Sequence, residues 1–101
     1  MVKKSFSERV YDLVIKIPPG RVSTYGNIAH ALNLKAYRAV GNAMNKNPHA
    51  PSTPCHRVIS SNGTLGGYSK GIKKKIQLLK SEGVEIKNNK IDLERFGYFF
   101  N

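Results

Sequence analysis

Pro54-Cys55-His56-Arg57-Val58 holds the residues of this chain best suited to nucleophilic chemistry. Cys55 is the only cysteine, so it has no partner for an intramolecular disulfide and its thiol is free. An adjacent imidazole and nearby positive charge lower a thiol pKa and favour the reactive thiolate. The alternative is a cysteine that packs as a small buried hydrophobe, as most unpaired cysteines do. A cysteine nucleophile also needs a base, a group to hold that base, and a donor for the leaving group. His56 is the candidate base. Glu82 is a candidate to orient the ring and stabilise its protonated form, as the acid of a triad does. Tyr25 and Lys75 are candidate proton donors. The segment reads as extended, which points neighbouring side chains apart, so His56 is expected to reach Cys55 through a bridging water. His30 and His49 lack such a setting and read as surface or structural. One cysteine and three scattered histidines do not make a metal site, and neither metal nor cofactor is expected.

The elements that must position these groups follow from apolar spacing. Phe6, Val10, Leu13, Val14 and Ile17 recur at helical intervals, predicting a helix over Ser5 to Lys16 that Pro18-Pro19-Gly20 ends. After a short extended link at Arg21-Val22-Ser23, Thr24 is placed to cap a helix in which Tyr25, Ile28, Ala29 and Leu32 share a face. A break near Asn33 precedes a third helix, Lys35 to Lys46, with Ala36, Ala39, Val40, Ala43 and Met44 inward. Two short helices joined by a tight turn read as a helix-turn-helix. The outer face of the third helix carries Arg38, Asn42 and Asn45, which can reach phosphates and base edges. Ala39, Gly41 and Ala43 are small enough to let that helix approach a groove closely; an ordinary solvated face is the alternative. Asn47 to Pro54 reads as a stiff loop that delivers Cys55. A short buried strand is expected over Arg57 to Ser60, with turns at Asn62-Gly63 and Gly66-Gly67. A fourth helix is expected from Ser69 to Glu82, with Ile72, Ile76 and Leu79 as its stripe and Gly83 as its stop. Lys75 and Glu82 fall on or beside that stripe and need partners, because unpaired burial is costly. Val84-Glu85-Ile86 and Ile91-Asp92-Leu93 flank Asn88-Asn89 as a small hairpin. Phe96, Tyr98, Phe99 and Phe100 are expected to close the core. The fold class is thus mainly α: a small winged-helix-like helix-turn-helix domain with short β-strands.

With 101 residues the chain is expected to be one domain, over residues 1–101. Its 17 basic and 6 acidic residues give a net charge of +11, spread through segments that look folded. Nucleic acid is the first partner this suggests, with an anionic membrane or simple solubility as alternatives. No run is apolar enough to span a bilayer, and no signal peptide opens the sequence. A reducing interior is expected: cytoplasm or nucleoid, or nucleus in a eukaryote. A peptidase or acyl-transfer reading would need a peptide groove and an oxyanion hole, and the basic surface gives it no support. A cysteine triad on a helix-turn-helix calls instead for an electrophile carried by DNA. An alkyl group on a base fits, provided the base is flipped from the stack.

The sequence resembles the C-terminal domain of the O6-alkylguanine-DNA alkyltransferases, or methylated-DNA–protein-cysteine methyltransferases. The resemblance runs through Gly20-Arg21-Val22-Ser23-Thr24-Tyr25-Gly26, Arg38-Ala39-Val40-Gly41-Asn42-Ala43-Met44 and Asn47-Pro48. It continues through Pro54-Cys55-His56-Arg57-Val58, Gly66-Gly67-Tyr68-Ser69 and Leu78-Leu79-Lys80-Ser81-Glu82-Gly83. The Cys55 block is highly specific; the helix-turn-helix block alone is weak.

The resemblance implies that Cys55 accepts the alkyl group, His56 is a water-mediated base, and Glu82 orients it. Asn47 would tie the active-site loop to the recognition helix, while Tyr25 and Lys75 help the guanine leave. The carbonyls of Cys55 and Val58 would take the exocyclic amine, and the Ser69 amide would face O6, with Gly66, Tyr68 and Met44 also in the substrate pocket. Double-stranded DNA would be bound through its minor groove by a monomer, using Thr24, Tyr25, Arg38, Ala39, Gly41, Asn42 and Asn45. Arg38 would fill the space left by the flipped nucleotide. The alkyl group would end on sulfur as a thioether, so each molecule would act once. Two departures stand out. The N-terminal domain of longer members is not matched, which is also typical of alkyltransferase-like lesion sensors, although those usually lack the cysteine. Lys70 occupies a loop position that is small in some relatives. A lesion sensor and a small helix-turn-helix regulator are the rival readings, the second implying sequence-specific binding and a dimer.

Overall fold

The computed structural model describes residues 5–35, 37–48 and 52–100. Helix α1 runs Phe6–Val14, and Ser5 is its cap, not its first residue. The Ser5 hydroxyl accepts from Glu8 N while the Glu8 carboxylate reaches back to Ser5 N, a capping box. The predicted end at Lys16 is too late. Lys16 N and Ile17 N bond to carbonyls three residues back, tightening the chain ahead of Pro18. Val10, Val14 and Ile17 are buried as the spacing predicts.

Strand β1, Ser23–Thr24, leads directly into α2, Tyr25–Ala31, and the Thr24 hydroxyl caps that helix by accepting from Asn27 N. Asn33 ends the helical turn in the left-handed conformation (φ 59°). The recognition-type helix α3 covers Tyr37–Asn45, shorter at both ends than expected. Val40, Ala43 and Met44 are buried and Ala39 is half-buried; Ala36 lies outside the described residues. Tyr11 Oη donates to Ala43 O at 2.7 Å, tying α1 to α3.

Cys55–Arg57 is a single 3-10 turn, so the strand predicted from Arg57 begins one residue later, as β2, Val58–Ile59. β1 and β2 pair in parallel, Ser23 with Val58 and Thr24 with Ile59. Alternation along β2 places Val58 in a core with α1, α2 and α3, and Ile59 in a second core with Val22, Leu65, Leu79, Val84, Ile91 and Phe96. β2 is therefore the seam between two apolar clusters. Cys55 belongs to the first of them, beside Met44 and Val58.

Helix α4 runs Ile72–Ser81, three residues later in starting than predicted. Ile72 is 43% exposed, so the buried stripe starts at Lys75 and continues through Leu79. Beyond it, Asn88 and Asn89 take left-handed conformations in a bridged turn between Lys87 and Lys90, the short hairpin expected there. Its second arm is shorter than predicted. Asp92 caps a one-turn helix α5, Leu93–Phe96, by accepting from Glu94 N, so Leu93 is helical. In the tail Phe96 is buried and Tyr98 and Phe100 pack on the first core, but Phe99 is half exposed. Asn27 pins this tail by accepting from Phe100 N at 2.8 Å.

Candidate active site

Cys55 is 3% exposed, held at the first position of the 3-10 turn, and its N–H bonds to Thr53 O at 2.8 Å. Asn47, also buried, donates from Nδ2 to the same Thr53 carbonyl at 2.9 Å. The loop that presents the thiol is thus tied to the end of α3. Part of the expected rigid loop, including His49, lies outside the described residues.

His56 follows and is buried. Its Nε2 lies 3.1 Å from both carboxylate oxygens of Glu82, which caps the C-terminus of α4. A proton on Nε2 facing that carboxylate leaves Nδ1 as a lone-pair acceptor. Nδ1 is buried with no hydrogen-bond partner among the described residues. Burial pushes the imidazole pKa down, the hydrogen bond and charge of Glu82 push it back, and the net is below the ordinary histidine value. The ring is therefore neutral and able to accept a proton at neutral pH.

Arg57, absent from the candidates read in the sequence, completes this array. Its Nε and Nη2 form a two-point pair with Glu82, Nε at 2.9 Å, and its Nη1 donates to Ile17 O at 2.8 Å. One guanidinium joins the end of α1, the active-site turn and the end of α4. For Glu82, burial raises the carboxyl pKa, but hydrogen bonds from Arg57 and His56 and their charges outweigh it, holding it below the usual carboxylate value. The signal for Arg57 was present, a fixed charge beside a buried turn, but its partner could be found only in the fold.

Lys75 is wholly buried, and its Nζ donates to Val58 O at 2.8 Å and Gly67 O at 3.0 Å. It stitches β2 to the Gly66-Gly67 loop, and occupies one acceptor direction of the Val58 carbonyl expected to meet substrate. Burial lowers its pKa to about 8, against a smaller rise from nearby Cys55. Because the unfolded chain holds this proton up to about pH 10.5, burial of the charge costs stability below pH 8 and is relieved between the two values. Stability should therefore rise over that interval in urea titrations, and the rise should vanish in Lys75→Met. That variant removes the donor from the buried Val58 carbonyl, while the Gly67 carbonyl lies in an exposed loop, and should lose about 1–3 kcal/mol at neutral pH.

Two phenols complete the surroundings. Burial, then the proximity of Cys55, push Tyr25 up to about 12, so it stays protonated as a donor. The same two causes raise Tyr68, whose buried Oη has no partner among the described residues. Gly66 has φ +69°, and a Cβ there would lie 2.9 Å from Tyr25 Oη; glycine lets this loop close on the phenol.

The other expected site residues fall in three groups. Met44 and Val58 are buried beside Cys55, whereas Gly66, Ser69 and Lys70 are exposed on the loop leading to α4. Arg38, Asn42 and Asn45 are exposed on α3, with Ala39 and Gly41 half-buried between them. Thr24 is 4% exposed, and its hydroxyl caps α2 by accepting from Asn27 N. His30 is exposed. Among the described residues no group of three or more histidine, cysteine or acidic side chains is placed to hold a metal ion, and no helix is long and apolar enough to cross a membrane.

Fold and site together define a helix-turn-helix domain built around a buried cysteine and the histidine that follows it. A family model, the DNA binding domain of 6-O-methylguanine DNA methyltransferase, matches residues 5–84, and the chain belongs to that family. It is 52% identical over 81 residues to a methylated-DNA–protein-cysteine methyltransferase of Saccharolobus islandicus, spanning 80% of this chain and 52% of that protein. It is 47% identical over 90 residues to a bifunctional methyltransferase/endonuclease of Picrophilus torridus, 88% of this chain but 30% of that one. The chain thus spans about half or less of these curated relatives. The S. pombe protein Atl1, solved in complex with damaged DNA containing O6-carboxymethylguanine, superposes with a TM-score of 0.84 at 37% identity, over 97% of this chain and 98% of that one.

Proposed function

We propose that this chain binds DNA containing O6-alkylguanine and transfers the alkyl group to Cys55. The observation that carries the reading is the buried Cys55 next to His56, whose Nε2 is fixed on Glu82 and whose Nδ1 has no partner among the described residues. Buried polar atoms without protein partners are rare, and a catalytic role or an ordered water is what accounts for them. The family and the methyltransferase relatives support the same chemistry.

In this account α3 enters the minor groove, Arg38 takes the place of the extruded nucleotide, and the base reaches the thiol. Nδ1 receives the thiol proton, through a water. Sulfur attacks the alkyl carbon in line as the bond from that carbon to O6 breaks. The base departs with the bonding electrons and regains one proton, equivalent to the one the thiol released. Tyr25, held protonated, donates to the departing base, and the Lys75 charge behind it favours the anion. A thioether has no easy return, so one protein repairs one lesion. Excess lesion duplex should give a product plateau at one guanine per protein; continued turnover would refute suicide transfer.

A second reading, lesion binding without transfer, is supported by the likeness over nearly full length to Atl1. The presence of Cys55 weighs against it.

A further inference from the structure

A groove of about 420 Å³ lies beside the thiol site, lined by Tyr25, Gly26, Tyr37, Ser60, Ser61 and Asn62. Cys55 does not line it. Tyr25 is the shared wall: it packs on the apolar cluster that holds Cys55 and also borders the groove. At Gly26 the groove wall comes close to Ser61, since a Cβ there would fall 2.8 Å from the rotatable Ser61 Oγ. The side chains supply two phenols, two hydroxyls and an amide, with no carboxylate to repel a phosphate. Tyr37 is 59% exposed and directly precedes Arg38 at the start of α3.

Resting on the function proposed above, we infer that this groove is a flanking-nucleotide subsite in which Tyr37 stacks on the base next to the flipped guanine. A nucleotide entering the Cys55 site passes Tyr25, and its covalent neighbour on the damaged strand must leave along the adjoining surface. That surface is neutral, rich in hydrogen-bond donors and fronted by an exposed aromatic ring. Its volume lies within the range of sites that hold small molecules, enough for one base with its sugar. Stacking on an aromatic ring tolerates any base but depends on its surface, so affinity for a lesion should depend on its neighbour.

The test is a binding cycle by fluorescence anisotropy in the Cys55→Ala background, where the lesion persists. The probes are duplexes carrying O6-methylguanine with an intact neighbour, or with an abasic site on one side or the other. Tyr37→Ala should bind the intact lesion duplex about tenfold more weakly, as loss of one stacked base implies, while Tyr37→Phe keeps affinity. An abasic site on one of the two sides should weaken the parent equally, with no further loss in Tyr37→Ala. Unchanged affinity in Tyr37→Ala, or losses that multiply, would overturn the subsite while leaving lesion recognition standing. A parent that bound the lesion duplex no tighter than undamaged duplex would overturn the proposed function and the subsite together.

Discussion

Replacing Cys55 by alanine should abolish alkyl transfer while leaving lesion binding intact. No other thiol exists in the chain to accept the group. Removing a nucleophile that acts with a base costs on the order of 10⁴-fold or more, so transfer should fall below detection. The proposed binding surface lies elsewhere: Arg38, Asn42 and Asn45 stand exposed on α3, and the contacts of Glu82 with His56 and Arg57 do not involve the sulfur. The lost sulfur in a 3%-exposed position should cost only about 1 kcal/mol. Gel-shift and single-turnover assays on one O6-methylguanine duplex check both halves. Residual transfer would mean that another group accepts the alkyl; loss of binding would mean that the thiol positions the base.

Glu82→Ala should have the second largest effect, felt in both rate and stability. The carboxylate accepts from His56 and Arg57 at once and ends α4 against the active-site turn. Without it, the imidazole loses its orientation and its pull on the proton, and transfer should slow by about 10²–10³-fold, as general-base contributions do. The Arg57 guanidinium loses its counter-charge in a largely buried place, which should cost about 2–4 kcal/mol. The pH dependence gives a sign that simple loss of packing would not. A carboxyl whose folded pKa is depressed contributes stability above its unfolded pKa, near 4.3, and that contribution drains as pH falls below it. Glu82→Gln should therefore unfold less steeply in acid than the parent. It should also confine transfer to a different pH range, because the His56 pKa loses the rise that Glu82 supplies. Transfer at the parent rate and pH profile in a folded Glu82→Ala protein would remove Glu82 from the mechanism as a positioning residue.

Much of this was legible in the residues because it is local. The apolar spacing of α1 to α3, the Thr24 cap and the break at Asn33 are short-range effects, and all are in the structure. The Cys55-His56 pair stood out by adjacency, and the structure buries both residues. Lys75 was recognisable as a charge needing a partner, but its partners are the carbonyls of Val58 and Gly67, which no side-chain type announces. Arg57 read as the start of a strand, and only folding brings Glu82 and the Ile17 carbonyl to it. Ile72 read as core because its spacing fits the stripe; helix α4 starts at that very residue, where no second core layer covers it. Leu93 fitted a β pattern, yet the Asp92 cap two residues before Glu94 was a helix signal in plain view.

The most direct test is the intact mass of the protein after incubation with an oligonucleotide duplex carrying one O6-methylguanine. The account predicts a gain of one methyl group, mapped to Cys55, with an equal amount of guanine restored in the DNA. A protein that binds the lesion tightly but keeps its original mass, with the lesion intact, would contradict it.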